Sequence, residues 1–93
     1  MTNISIKDNE ITCTGHAGDK TACAMLTAMT VSLVDNIINR LGSEVDCTLD
    51  HGLFVLNFER NAISPAANTL IDSYVYSLHN LAESYPENFK IDI

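Results

Sequence analysis

Tryptophan is missing from this sequence, proline occurs twice, and lysine and arginine together number only five. The five cations, Lys7, Lys20, Arg40, Arg60 and Lys90, are scattered among twelve acidic residues. That argues against nucleic-acid binding, which needs a lysine- and arginine-rich surface. No low-complexity run is present, and with 46 % hydrophobic residues the chain is not expected to be disordered. No long apolar run is free of polar interruption. The longest, Ala22 to Leu41, contains Asp35, Asn36, Asn39 and Arg40, which argues against a membrane span. Met1 to Ser5 lacks a basic-then-apolar signal pattern, so a cytoplasmic location is expected. Cysteine is present three times, an odd number with no CxxC pair and no histidines at zinc spacing. Free thiols in a reducing compartment fit this better than a disulfide framework, and neither a metal nor a cofactor is expected.

What is present reads as one domain over residues 1–93, short enough to hold a single core. Ile4 to Lys7 and Glu10 to Thr14 alternate apolar and polar residues around the turn signal Asp8-Asn9, which predicts a hairpin. Gly15 to Asp19 has no period and reads as a loop. From about Thr21 the apolar residues Ala22, Leu26, Met29, Leu33, Ile37 and Leu41 recur three and four apart, one face of a helix that Gly42 ends. Val45, Cys47 and Leu49 alternate again, His51-Gly52 is a turn, and Leu53 to Phe58 is a more continuous apolar strand. Ser64-Pro65 is an N-cap with proline at the first helical position. Leu70, Tyr74, Leu78 and Leu81 mark the buried face of that helix, which ends before Pro86, and Phe89 to Ile93 is a last strand. The order strand, strand, helix, strand, strand, helix, strand predicts an α+β fold, a single sheet of five strands with two helices on one face.

The thiols separate by position. Cys13 and Cys47 fall on apolar faces of strands and read as core residues. Cys23 lies in the first turn of a helix, behind a glycine-bearing loop, where unsatisfied N–H groups and the positive end of the helix dipole favour a thiolate. His16 stands seven residues upstream at a strand end, close enough for a short loop to bring an imidazole to the sulfur, as thiol hydrolysis requires. His51, beside Asp50 in a turn, reads as solvated, and His79 as a helix-surface residue. The net charge of −7 favours basic partners, or serves solubility alone.

Gly15-His16-Ala17-Gly18 at a strand end, before a helix beginning with Cys23-Ala24, resembles the ribosomal-processing cysteine proteases of the Prp family. Thr27 stands where that family usually has serine, and Ser84-Tyr85-Pro86 with the strand after it is similar to the family's ending. The resemblance implies a His–Cys dyad, His16 as base and Cys23 as nucleophile, with the Cys23 amide as a candidate oxyanion donor. It implies removal of a short N-terminal extension from a large-subunit ribosomal protein, cut after a bulky aromatic residue and before small and then basic ones. It further implies a homodimer and a mobile, substrate-admitting loop, in which Gly15, Ala17, Gly18, Asp19 and Thr27 are the substrate-binding or loop residues. The chain departs from the pattern in that loop, where only six residues, Ala17 to Ala22, separate histidine from cysteine and the family has a longer run. Lys20 takes the family's aspartate position, and Asp19 precedes it. A rival reading is a homologue that binds a basic tail without turnover; another is a structural or redox role for an exposed Cys23.

Overall fold

The computed structural model describes residues 1–92. The chain runs β1 (Thr2–Ile6), β2 (Glu10–Thr14), α1 (Lys20–Val34), β3 (Asp46–Asp50), β4 (Leu53–Asn57), α2 (Pro65–Ser84) and β5 (Phe89–Asp92). This is the predicted order; the last strand was expected to reach Ile93, which lies outside the described residues. The strands form one mixed sheet in the order β3-β4-β2-β1-β5, antiparallel except where β5 runs parallel to β1.

The register places the core on one face. Ile4 pairs with Cys13 and Ile91, and Ile11 with Ile6 and Leu56, so the alternating apolar residues of neighbouring strands point the same way. Both helices cover that face. Ile4, Ile11 and Leu56 from the sheet, Ile37 from the α1 extension, and Ile71 and Leu78 from α2 are fully buried. Each such side chain contributes about 1.5–3 kcal/mol relative to exposure.

Helix starts follow local chemistry. Asp19 accepts the Ala22 N–H at 2.9 Å and Ser64 Oγ accepts the Ala67 N–H at 3.1 Å, each satisfying an orphan donor of a first turn. Pro65 opens α2 as predicted. Beyond Val34 the first helix continues as a wider π-helical segment, Asp35–Arg40, whose hydrogen bonds include Leu41 N–H to Asn36 C=O at 2.9 Å. Gly42 then ends it at φ +63°.

Three expectations change. Leu41 at the C-cap is 40 % exposed, because the widened segment ends the helical register before it can be buried. Cys47 is only half-buried and Leu49 is 49 % exposed, because β3 is an edge strand beyond the cover of the helices. The stretch Lys20–Arg40, which holds an 18-residue window with a mean hydropathy of 1.5, is long and apolar enough by length and composition to cross a membrane. Its inner face, with Ala22, Thr30, Leu33 and Ile37, is buried against the core.

Candidate active site

The end of β2, the start of α1 and the turn between β3 and β4 meet because β2 and β4 are neighbours, with Thr14 paired to Leu53. Gly15 N–H donates to Gly52 C=O at 2.9 Å, continuing the ladder past the strand ends. Gly15 sits at φ +90°, and a Cβ there would lie 2.6 Å from the Met1 carbonyl oxygen, so glycine is required by conformation and by space. The loop after it is held rather than free. Ala17 is buried and its C=O accepts from Asn88 Nδ2 at 2.7 Å, while the Asn88 C=O accepts the Thr2 N–H at 2.9 Å. Asp19 closes the loop as the helix cap. The expected mobile loop is therefore tied at both ends and in its middle.

His16 and Cys23 line the same cavity, of about 340 Å³, one from the strand end and the other from the first turn of the helix. Thr27 lines it too, its hydroxyl donating to the Cys23 C=O at 2.8 Å. The rest of the wall is mainly apolar: Leu26 and Val31 of α1, Leu49 of β3, and Leu53 and Phe54 of β4. Of the other candidate loop residues, Gly15 and Ala17 line the cavity, whereas Gly18 and Asp19 do not. His16 and Cys23 share a cavity, not a hydrogen bond; among the described residues the thiol hydrogen bond is that between Cys13 and the Tyr74 hydroxyl, 3.8 Å.

The Cys23 amide is not a free donor. As the fourth residue of α1 its N–H bonds to the Asp19 C=O at 2.9 Å, and the Ala22 N–H is taken by the Asp19 carboxylate. The N–H groups of Lys20 and Thr21 are the first-turn donors that helix geometry leaves without an intrahelical acceptor. Behind the cavity the Tyr74 hydroxyl bridges Thr30 Oγ1, at 2.8 Å, and Cys13. Burial pushes the Cys13 thiol up to about 11, partly offset by the hydrogen bond with Tyr74. Burial likewise raises the Tyr74 phenol, with the neighbouring Cys13 adding to it, and burial raises the Cys47 thiol.

Two residues beside the His16 imidazole went unassigned in the sequence. His51 is exposed, as expected of a turn, yet its ring lies against His16, with centroids 4.6 Å apart and planes at 52°. Gly52 lies under the same imidazole; a Cβ on it would sit 2.9 Å from His16 Nε2. Only the pairing of β2 with β4 brings these together, and no spacing within the sequence signals it. His79 is exposed on α2, as expected. Among the described residues no cluster of three or more His, Cys, Asp or Glu side chains could hold a metal ion.

A thiol and an imidazole on the wall of one apolar cavity are the groups a cysteine protease uses. The family described as cysteine protease Prp matches residues 1–90, and the chain belongs to that cysteine protease family. Among solved structures the chain is similar to the essential ribosomal processing protease Prp from S. aureus, in complex with a covalently linked product peptide. The identity is 24 % and the TM-score 0.80, with 98 % of this chain and 95 % of that one covered. The same S. aureus protease in complex with a substrate peptide gives 21 % identity and a TM-score of 0.79 over the same shares of the two chains. The Streptococcus mutans protein SMU.848 gives 20 %, with a TM-score of 0.76 over 99 % of this chain and 90 % of that one. At these identities the likeness is one of fold. Among curated proteins no significant match was found.

Proposed function

We propose that this cysteine protease removes a short N-terminal extension from a large-subunit ribosomal protein, with Cys23 as nucleophile and His16 as general base. The observation that carries the reading is the placement of both residues on one apolar cavity at the junction of β2 and α1. His16 takes the thiol proton as Cys23 Sγ attacks the scissile carbonyl carbon. The tetrahedral oxyanion collapses to a thioester, and the amine leaves with the proton returned by His16. Water, deprotonated by His16, then hydrolyses the thioester and frees the new C-terminal carboxylate and the thiol. The apolar wall of Leu26, Val31, Leu49, Leu53 and Phe54 suits a bulky aromatic residue before the cut bond. The net charge of −7 suits a basic stretch after it. Unpaired thiols suit a reducing, cytoplasmic setting. Met25, 43 % exposed on α1 and outside the cavity lining, suits contact with a second copy of the chain.

The test is turnover of a peptide spanning the extension. His16→Ala is expected to slow cleavage by about 10²-fold or more, the scale of losing a general base, with the melting temperature unchanged because His16 is exposed. Full turnover by a folded His16→Ala protein excludes His16 as the base.

A further inference from the structure

We propose that His51 is the positioning residue for the His16 imidazole, an inference that rests on the dyad reading above. In many thiol and serine hydrolases a carboxylate or amide holds the base by a hydrogen bond. Here the restraint is made of surfaces. The His16 ring lies over Gly52, where a Cβ would come within 2.9 Å of Nε2 and 3.1 Å of Cε1, so one side of the ring is bounded by bare backbone. The His51 ring bounds another, 4.6 Å away between centroids and tilted by 52°.

Both bounding groups sit on a fixed turn. The Asp50 carboxylate accepts the His51 backbone N–H at 2.7 Å, which anchors the root of the second imidazole. Asp50 pairs with Leu53 across the hairpin, Leu53 pairs with Thr14 on β2, and the Gly15 N–H reaches Gly52 C=O at 2.9 Å. The backbone beneath His16 and the backbone beneath His51 are thus parts of one hydrogen-bonded junction. His16 is exposed on a loop and would otherwise have several rotamers open to it. With the His51 ring in place fewer remain, and the imidazole stays over the turn that shares its cavity with Cys23. His51 does not transfer the proton; its ring restricts the group that does.

The test measures steady-state peptide turnover and the rate of Cys23 alkylation by iodoacetamide, mapped by mass, in the wild type and in His16→Ala, His51→Ala and His51→Phe. Losing the restraint in His51→Ala is expected to lower kcat by about tenfold or more with KM nearly unchanged, and to slow alkylation of Cys23, because small misplacements of a catalytic group are costly. His51→Phe keeps a flat ring without a titratable nitrogen and is expected to restore most of both rates. Wild-type rates in His51→Ala, beside slow ones in His16→Ala, overturn the positioning role and leave the dyad reading standing. A raised KM at unchanged kcat also overturns it, since His51 would then be contacting the peptide. A failure of His51→Phe to restore the rates overturns it by showing that a nitrogen, and not the ring surface, matters. If His16→Ala itself alkylates and cleaves like the wild type, the dyad reading falls and the inference falls with it.

Discussion

Burial pushes the Cys13 thiol up to about 11 and raises that of Cys47, so at neutral pH both are held as the unreactive thiol. Cys23 opens instead onto the cavity at a helix start. Iodoacetamide at neutral pH is accordingly expected to modify Cys23 first, and mass mapping that finds Cys13 or Cys47 modified earlier would contradict the assignment of the nucleophile. The raised Cys13 value also has a stability consequence. Its folded value of about 11 stands above the ordinary thiol value of 9.0, so its contribution is complete below pH 9 and is lost as pH rises through about 11. At about 1.4 kcal/mol per unit, this removes roughly 2–3 kcal/mol. Denaturant melts between pH 8 and pH 11 should show the fall, and Cys13→Ala should lessen it; Tyr74, also raised by burial, adds to the loss at the upper end. In the same cluster, Tyr74→Phe strands the buried Thr30 hydroxyl and is expected to cost about 1–3 kcal/mol. The double variant Tyr74→Phe with Thr30→Val should cost less than the sum of the two singles, measured by the same melts.

Among the elements, the loop between β2 and α1 decides how this chain differs from the pattern it resembles. It is short, and three hydrogen bonds tie it, two of them long-range: Gly15 to Gly52, Asn88 to Ala17, and the local one between Asp19 and Ala22. Asp19→Ala is expected to cost about 1 kcal/mol, the usual worth of a helix cap. Asn88→Ala removes the only side-chain bond to the middle of the loop found among the described residues, and should hasten amide hydrogen exchange over residues 16–19 more than Asp19→Ala does. Exchange unchanged in Asn88→Ala would mean that burial of Ala17 alone holds the loop. The elements most legible in the sequence were those set by neighbours in the chain: the turn at Asp8-Asn9, the cap and proline at Ser64-Pro65, and the stop at Gly42. Illegible features depend on strand order. Alternation showed which way Cys47 and Leu49 point, yet not that β3 is an edge the helices leave uncovered. His51 looked like any turn histidine until β4 lay beside β2. The candidate pair was legible for the opposite reason: a strand end, a short loop and a helix start place His16 and Cys23 near each other without long-range pairing.

At the scale of the whole molecule, one sheet with one helix layer leaves two features facing solvent. The first is acidity: at a net charge of −7, the rate constant kcat/KM for a basic peptide should fall as salt is raised, through screening of the long-range field, while a neutral peptide of the same cleavage sequence should be affected less. The second is Met25, exposed on α1 outside the cavity. The proposed cutting of a ribosomal precursor by Cys23 and His16 is tested by intact-mass spectrometry. The extended form of the large-subunit ribosomal protein is incubated with the wild type and with Cys23→Ala. The wild type is expected to give one new mass, from loss of a short N-terminal segment ending in an aromatic residue, and Cys23→Ala to leave the mass unchanged. An uncut precursor with the wild type, or the same cut made by Cys23→Ala, would contradict it.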